Sequence, residues 1–375
     1  MKISSLQENL KSGLNTVSHI AGKNLNLPIL NNVMFEAKGK NIRFITTDLE
    51  IGIVSTVRGK VEKEGVYTVD AKVISEYISL LPNKKIDIDL KDNKLKIQCD
   101  NYKTVIKGQS AEDFPLIPQV EREQYYKVNA DEFKKALSQV IFAVSNSETR
   151  IELSGALFNF KKDQLVLAAT DSYRLAERKL PLNTNGQAEK KIIVPAKTLQ
   201  EVIRVLSNIK AEVVGDGDME VEMFISENQI LFTFGSIELV SRLIEGQYPD
   251  YEQIIPTSSG TLAIINKAEF TQAVKTSAIF SKTGINDINL DFPAGKNRVT
   301  ITSESSQVGE NTINLDASVN GKDNGIVVNY RYLLDGINNI DTNDLKLEVI
   351  DNATPCVIRP DKEDSYLYVI MPIKQ

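Results

Sequence analysis

Apolar residues recur at helical spacing three times along the chain, and each time several segments of alternating apolar and polar residues follow. Leu6, Leu10 and Leu14 illustrate the spacing, which places their side chains on one face of a helix. The alternating segments predict strands that bury one face. A second helix is predicted later in each round. The leading helices are predicted at Leu6 to Ile20, Asp131 to Val144 and Lys267 to Ser281, and the second helices begin at Asp70, Pro195 and Tyr330.

A Thr-Asp pair ends a predicted strand in the first two rounds. Thr170-Asp171 follows the segment Gln164 to Ala169, and Thr47-Asp48 closes the matching segment of the first round. A degenerate third copy is Thr302-Ser303-Glu304. Because the side-chain oxygens of Thr and Asp accept hydrogen bonds from nearby backbone N–H groups, each pair predicts a tight turn at a strand end.

Extended connectors with two prolines separate the rounds. Phe114-Pro115-Leu116-Ile117-Pro118 ends the first round, and the segment Tyr248 to Pro256 ends the second. Proline favours extended backbone here, and two features that recur at the same offsets indicate a triplicated unit. The predicted fold is α+β, with two helices packed on antiparallel sheet in each unit, and the predicted domains are 1–120, 121–256 and 257–375.

The composition is that of a folded globular protein, and 375 residues suit two or three domains. Cys99 and Cys356 lie far apart in apolar strand patterns, which indicates buried thiols in a reducing compartment. The N-terminus has no apolar signal core and no segment reaches membrane-spanning length, so we expect a cytoplasmic protein without membrane partners. The net charge of −6 argues against a uniformly basic nucleic-acid binder but leaves room for a basic face.

An enzyme would have to use Asp48 and Asp171 as metal ligands or as acid–base groups. These carboxylates occupy equivalent positions in different units and should lie far apart, and turn formation explains both of them. The lone His19, near the end of the first helix, is interpreted as a solvated or capping residue. The sequence contains no nucleotide-binding loop, metalloprotease motif or nucleophile elbow. It therefore predicts no catalytic residue, no metal and no cofactor.

Four further segments follow one another along the whole chain. They are Leu27-Pro28-Ile29-Leu30, Ala169-Thr170-Asp171-Ser172-Tyr173-Arg174-Leu175-Ala176, Tyr248-Pro249-Asp250-Tyr251 and Val369-Ile370-Met371-Pro372-Ile373. Together with the three units, they resemble the bacterial sliding clamp family, the beta subunit of DNA polymerase III. The resemblance implies a non-catalytic processivity factor, in which two chains join head to tail into a ring of six units around duplex DNA. A repeat scaffold that binds proteins but never DNA is the alternative interpretation.

The resemblance also implies a set of partners. These are double-stranded DNA held without sequence preference, a second copy of the chain, a subunit of the replicative DNA polymerase, and an ATP-driven clamp loader. Other DNA polymerases, ligase and mismatch-repair proteins are expected to bind through short linear motifs.

A hydrophobic pocket between the second and third units is implied as the site for those motifs. Aliphatic and methionine side chains suit an adaptable apolar floor, and Thr170 and Arg174 would supply hydrogen bonds at its edge. For Leu153, Leu175, Ile254 and Ile370, an ordinary core position is the alternative. The implied pocket residues are Leu153, Thr170, Ser172, Tyr173, Arg174, Leu175, Pro249, Gln253, Ile254, Val369, Ile370, Met371, Pro372 and Ile373.

DNA contacts are implied for the helices that line the hole and for nearby loops. The helices carry a mild excess of positive charge, which suits sliding because phosphate contacts are independent of sequence. A solvated charged face is the alternative. The implied DNA-binding residues are Lys23, Asn24, Lys72, Ser147, Arg150, Ile151 and Lys197.

The subunit interface is implied at two places. Ile279-Phe280, at the end of the third unit's first helix, matches the apolar contact of the family. Its partner would be the edge strand near Thr104 and Ile106 in the first unit. Because an exposed Phe280 would be a liability in an isolated chain, a constitutive homodimer is expected.

Overall fold

The computed structural model describes residues 1–22, 26–147, 149–186, 188–209 and 219–374, and its elements repeat three times in the same order. Each round consists of a strand, a helix, a run of strands, a second helix and three final strands. In the third round, one long strand replaces the fourth and fifth strands of the other two. The predicted α+β fold of three units, each with two helices on antiparallel sheet, is confirmed.

The helices and strands have the following limits. The first round contains β1 (Lys2–Leu6), α1 (Gln7–Val17), β2 (Asn32–Lys38), β3 (Asn41–Thr47), β4 (Ile51–Val57), β5 (Lys60–Lys63), β6 (Gly65–Asp70), α2 (Ala71–Leu80), β7 (Lys85–Lys91), β8 (Lys94–Cys99) and β9 (Tyr102–Lys107). The second contains β10 (Tyr126–Asn129), α3 (Ala130–Ile141), β11 (Gly155–Phe160), β12 (Gln164–Thr170), β13 (Arg174–Pro181), β14 (Asn183–Thr184), β15 (Lys190–Pro195), α4 (Ala196–Asn208), β16 (Glu220–Ile225), β17 (Gln229–Phe234) and β18 (Ile237–Arg242). The third contains β19 (Thr261–Asn266), α5 (Lys267–Ala278), β20 (Asp287–Phe292), β21 (Arg298–Ser305), β22 (Gly309–Gly321), β23 (Asn324–Asn329), α6 (Tyr330–Asn338), β24 (Asp344–Val349), β25 (Cys356–Pro360) and β26 (Tyr366–Ile370).

The leading helices end a few residues before the predicted limits. After each of them the backbone makes a tighter turn, in which the N–H of Ile20, Ala143 and Ser281 bonds the carbonyl three residues earlier. Such tightened final turns are common at helix ends and keep the apolar spacing going for a few residues beyond the α-helix.

The chain packs into two compact units, called unit 1 and unit 2 from here on, which are distinct from the three repeated units of the sequence. Unit 1 comprises Met1–Asp131, Asn183–Gln187 and Glu201–Leu243, and unit 2 comprises Glu132–Leu182, Ala188–Gln200 and Ile244–Gln375. Unit 1 holds a five-stranded sheet, β5-β1-β7-β8-β9, and a nine-stranded sheet, β14-β10-β16-β17-β18-β4-β3-β2-β6. Unit 2 holds a twelve-stranded sheet, β15-β11-β12-β13-β26-β25-β24-β19-β22-β21-β20-β23.

Successive repeats share continuous sheets, which explains why the two units do not coincide with the three repeats. In unit 1, β18 of the second repeat pairs with β4 of the first, and Leu239 lies opposite Ile53. In unit 2, β26 of the third repeat pairs with β13 of the second, and Tyr368 lies opposite Ala176. Backbone hydrogen bonds therefore cross each repeat boundary, and the domain limits 1–120, 121–256 and 257–375 stay a prediction.

The Thr-Asp pairs form the turns that the sequence predicts. Thr170 Oγ1 donates to the carbonyl of Arg174 at 2.6 Å, and Asp171 Oδ1 accepts from the N–H groups of Tyr173 and Arg174 at 2.9 and 3.0 Å. The turn after Thr47 has the same bonds, and the residue after each aspartate, Leu49 or Ser172, has the same φ of 78°. The degenerate third copy differs, because Thr302-Ser303-Glu304 lies within β21 and the turn comes after Ser305.

Removing the Asp48 carboxylate should destabilise unit 1, because this side chain holds the turn after β3. Its Oδ1 atom accepts from the N–H groups of Glu50 and Ile51 at 3.1 and 2.8 Å. We expect Asp48→Ala to lower the free energy of unfolding by about 1–2 kcal/mol, in the range of lost helix caps. Asp48→Asn retains the acceptor oxygen and is the control. Urea unfolding checks both variants, and equal stabilities would contradict the turn assignment.

The described residues carry few other features that point to chemistry. Cys99 and Cys356 are buried and unpaired, as predicted, and burial raises the pKa of the Cys356 thiol to about 12. Among the described side chains, no group of three His, Cys, Asp or Glu could hold a metal ion. No helix within the described ranges is long and apolar enough to cross a bilayer.

Candidate functional site

Three segments that are distant in the sequence meet in unit 2. The turn between β12 and β13 lies beside the end of β26, because β13 and β26 pair with Arg174 opposite Ile370. Just beyond that pair, the N–H of Met371 donates to the carbonyl of Tyr173 at 2.9 Å. The third segment is the connector Tyr248–Ile254. The structure thus brings together the segments that contain the predicted pocket residues.

Two tyrosines fix the connector to the sheet. Tyr248 Oη accepts from the N–H of Thr170 at 3.1 Å, and Tyr251 Oη donates to Glu177 Oε2 at 2.6 Å. Burial, the largest cause in each case, raises the pKa of both phenols above the usual value, so both stay protonated. Neither tyrosine is among the predicted pocket residues, although both belong to the Tyr-Pro-Asp-Tyr motif.

Arg174 is held on every side by its own unit. Its guanidinium donates to Asp171 Oδ2 at 3.0 Å, to Asp335 and to the carbonyl of Phe142 at 2.9 Å. It also lies over the rings of Tyr332 and Phe142, with its Cζ 4.6 and 5.5 Å from their centroids. A guanidinium with these partners shapes the site by fixing the turn to α3 and α6.

The predicted pocket residues divide into a buried layer and an accessible one. Leu153, Leu175, Val369 and Ile370 are almost fully buried, the first three in a core cluster with Tyr248 and Tyr251. For three of the four residues with a core alternative, the structure therefore favours the core; Ile254 is exposed. Tyr173 is 63% exposed, and its ring stacks on Tyr332 at a centroid distance of 6.4 Å. The accessible predicted side chains are Ser172, Tyr173, Pro249, Gln253, Ile254, Met371, Pro372 and Ile373.

Polar side chains border the accessible layer. Gln253 Nε2 donates to Asp250 Oδ2 at 2.9 Å. Arg150, which was predicted to bind DNA, donates to Ser172 Oγ at 2.9 Å and lies 3.4 Å from Glu152 Oε1. This contact brings a predicted DNA-binding residue next to the predicted peptide pocket. No local sequence signal indicates this contact, since the two residues belong to different loops.

The other predicted DNA-binding residues that the structure describes all have exposed side chains. Lys23 and Asn24 lie outside the described residues. Lys72 and Lys197 are exposed on α2 and α4, and Lys72 Nζ is 3.9 Å from Glu76 Oε1. An ion pair of this kind between exposed residues is weak, so Lys72 stays accessible to a phosphate.

Two basic side chains on the helices, Arg204 and Lys267, already have hydrogen-bond partners within the chain. Arg204 binds both carboxylate oxygens of Glu201 and donates to the carbonyl of Thr16, so it caps the end of α1. Lys267 donates to the carbonyl of Ile340. In the turn after α3, Ser147 Oγ lies 2.8 Å from Thr149 Oγ1, and Ile151 is exposed.

The predicted interface residues lie in two places, at the end of α5 and on the edge strand β9. Ile279 is 66% exposed, whereas Phe280 is half-buried. On β9, Ile106 is buried within unit 1 and Thr104 is half-buried, while Val105 is 53% exposed. The accessible apolar surface therefore comes from Ile279 and Val105 more than from Phe280 and Ile106.

Comparison with known proteins identifies the family. Family models of the DNA polymerase III beta subunit match the chain at residues 1–118 (N-terminal domain), 127–250 (central domain) and 252–374 (C-terminal domain). The chain is 28% identical over 360 residues to the beta sliding clamp of Staphylococcus epidermidis, which covers 93% of this chain and 92% of that protein. It is 28% identical over 358 residues to the Staphylococcus aureus beta sliding clamp, with coverage of 93% and 92%.

Solved structures agree. The DNA polymerase sliding clamp from Bacillus subtilis matches with a TM-score of 0.92 at 26% identity, over 100% of this chain and 99% of that one. The DNA polymerase III subunit beta from Pseudomonas aeruginosa matches with a TM-score of 0.93 at 25% identity, over all of both chains. The chain belongs to the DNA polymerase III beta subunit family, the beta sliding clamps.

Proposed function

We propose that two copies of this chain form a closed ring that encircles duplex DNA and tethers DNA polymerase to it. The chain is a processivity factor and not an enzyme, as its family is. The observation that supports the ring is a strand pairing between successive repeats. It is formed twice within the chain, and its strands remain unpaired at a third place. The last strand of the second repeat, β18, pairs with β4, and the last strand of the third repeat, β26, pairs with β13.

The last strand of the first repeat, β9, is the equivalent of β18 and β26. The equivalent of β4 and β13 in the third repeat is the first part of β22. In the described chain, β9 pairs along its length only with β8, and residues 309–316 of β22 pair only with β21. Unpaired edges of this kind invite pairing with another chain. Repeating the internal junction between two copies uses up both edges and closes a ring.

The internal junctions also fix the register of the proposed interface. In unit 2, Tyr368 lies opposite Ala176. When β9 and β22 are aligned with β26 and β13 from the hairpins next to them, Thr104 corresponds to Tyr368 and Asn311 corresponds to Ala176. Thr104 of one copy should therefore lie opposite Asn311 of the other. In that register Glu310 lies opposite Val105, so the exposed Lys103 and Lys107 of β9 flank Glu310 diagonally on the same face, and the exposed Glu304, its pairing partner on β21, lies beside it. This charge complementarity favours the head-to-tail arrangement.

The helix contacts repeat as well. His19 follows the end of α1, and its Nδ1 atom is 2.8 Å from Glu201 Oε2 on α4. Ile279 holds the corresponding position after α5, and Glu76 on α2 corresponds to Glu201. Ile279 should therefore enter the surface of the partner's α2, where Leu80 is 84% exposed. A cavity of about 340 Å³ is present there, lined by Asn15, Ser75, Glu76, Ser79 and Leu80.

The accessible layer of unit 2 is proposed as the peptide site. It combines apolar side chains that adapt, such as Met371, with a stacked tyrosine and fixed polar neighbours. The replicative polymerase, the clamp loader, other polymerases, ligase and mismatch-repair proteins would compete for it through short motifs. The net charge of −6 fits a ring that holds DNA by enclosure rather than by affinity, working in the cytoplasm where the bacterial chromosome lies.

Retention on circular DNA tests the proposal. The chain is incubated with its ATP-driven loader and a nicked plasmid, and bound protein is separated by gel filtration. We expect retention on the circle and loss of the protein after the plasmid is cut once, because a ring slides off an end. Retention that survives cutting would show binding by affinity. A protein scaffold that never encloses DNA would give no retention at all, and either result would overturn the proposal.

A further inference from the structure

Unit 1 contains a second site built from the same three kinds of segment as the peptide site of unit 2. A cavity of about 240 Å³ lies between the turn after β3, the connector of the first repeat and the end of β18. Its volume accommodates one large apolar side chain. The residues that matter for its chemistry are Leu49, Glu50, Leu116, Ile117, Val240 and Arg242.

The turn and the neighbouring strand end of this site have the same hydrogen bonds as in unit 2. The two turns share the Thr-Asp hydrogen bonds and the φ of 78° described above. The N–H of Arg242 donates to the carbonyl of Glu50 at 3.0 Å, just as the N–H of Met371 donates to the carbonyl of Tyr173 at 2.9 Å. Arg242 thus stands in unit 1 where Met371 stands in unit 2.

The side chains of the walls differ from those of unit 2. Gly52 replaces Leu175 at the equivalent strand position, and a methyl group on Gly52 would lie 2.8 Å from Ile117 Cδ1. Only glycine lets Ile117 pack this closely. Above it, Leu116 is 93% exposed and Leu49 about half exposed. The cavity therefore has an apolar mouth that nothing in the described part of unit 1 covers.

Charge distinguishes this site from the one in unit 2. Among the residues that the structure describes, the exposed guanidinium of Arg242 has no carboxylate within ion-pair distance. Glu50, also exposed, is on the facing turn. An apolar slot that ends in an unpaired arginine favours a ligand with an apolar side chain next to a carboxylate, since an arginine–carboxylate bond is stronger than a neutral one.

We propose that unit 1 binds a short extended peptide that places one large apolar side chain in this cavity and a carboxylate on Arg242. The proposal rests on the peptide site proposed for unit 2, because it uses the equivalence of the two junctions. Each chain would then offer two peptide sites of different charge preference: one with a methionine and one with an arginine at the same backbone position.

The absence of tryptophan from the sequence permits a separate fluorescent reporter for each site. Leu116→Trp reports on the unit 1 cavity, and Tyr173→Trp reports on the unit 2 site. Because both side chains are exposed, neither change disturbs the core. The probes are the acetylated peptide Gly-Ser-Leu-Phe-Asp-Asp and its counterpart Gly-Ser-Leu-Phe-Lys-Lys, titrated into the full-length protein.

We expect the Leu116→Trp emission to respond to the acidic peptide at concentrations at least about tenfold lower than to the basic one. Adding Arg242→Glu should reverse that preference, and Glu50→Lys should strengthen it. A reversal of preference is a result that mere misfolding does not produce. Lys162→Glu, an exposed charge reversal on the β11–β12 turn, is the matched control and should change nothing.

Silence of the Leu116→Trp reporter while Tyr173→Trp responds would overturn the unit 1 site and leave the unit 2 site standing. Equal responses to both peptides that Arg242→Glu does not alter would also overturn it. Failure of the unit 2 proposal has a different signature, in which Tyr173→Trp stays silent or is unaffected by Met371→Ala with Pro372→Ala.

Discussion

Replacing Met371 and Pro372 together by alanine should weaken the binding of polymerase-derived peptides by about thirtyfold or more, the range of interface hot spots. Both side chains are half-buried, so they have accessible surface to offer and are held in place by their neighbours. The N–H of Met371 bonds the turn at Tyr173, and the N–H of Ile373 bonds the carbonyl of Val327 at 2.8 Å. These backbone bonds persist in the double variant, which therefore removes side-chain contacts and keeps the path of the chain.

Fluorescence anisotropy with a labelled peptide from a polymerase partner measures this effect. Val66→Ala, a truncation of an exposed apolar residue on the edge strand β6, is the control and should bind as tightly as the unaltered chain. Sizing should show the same oligomer for all three proteins. An unchanged affinity of the double variant would mean that the peptide site lies elsewhere, even if the family assignment stands.

Local chemistry explains which parts of the site the sequence could predict. The Thr47-Asp48 and Thr170-Asp171 turns depend on bonds between residues at most four apart, and the structure confirms the turn that they predict. The triplication follows from the same local signals repeated at fixed offsets. The fold was predictable because the sequence of each repeat contains its own pattern of strands and helices.

Contacts between distant segments explain what the sequence could not give. Nothing local to Arg174 indicates that its guanidinium donates to Asp335 and to the carbonyl of Phe142. Its role as a hydrogen-bond donor at the pocket edge stays a prediction. The bond from Arg150 to Ser172 likewise joins loops that the sequence treats separately.

Burial at the sheet edges was the other gap. Strand alternation predicts which residues share a face but not which face is covered, so Ile106 was expected at an accessible edge although it is buried within unit 1. The neighbouring Val105 supplies the exposed surface. This distinction decides which residue an interface experiment should change.

Ile279→Asp is accordingly expected to convert the dimer to monomers. Ile279 is largely exposed in the single chain, so the change costs little folding stability, whereas the half-buried Phe280 would confound the two effects. In the proposed ring, the new carboxylate would be pressed against the apolar side chain of Leu80 and close to Glu76 of the other copy. Burying an unpaired charge there should raise the dissociation constant of the dimer by about a hundredfold or more at each of two interfaces.

Analytical ultracentrifugation over a range of concentrations gives that constant directly. Ile151→Asp, which changes an equally exposed isoleucine away from both proposed edges, is the matched control and should sediment as the unaltered dimer. The register proposed for β9 and β22 adds an independent requirement: Thr104→Cys and Asn311→Cys in one chain should form a disulfide between copies, and Ile279→Asp should prevent it. A variant that still sediments as a dimer and still cross-links would place the interface outside these two edges, and the ring closure inferred from the repeated strand junction would be wrong.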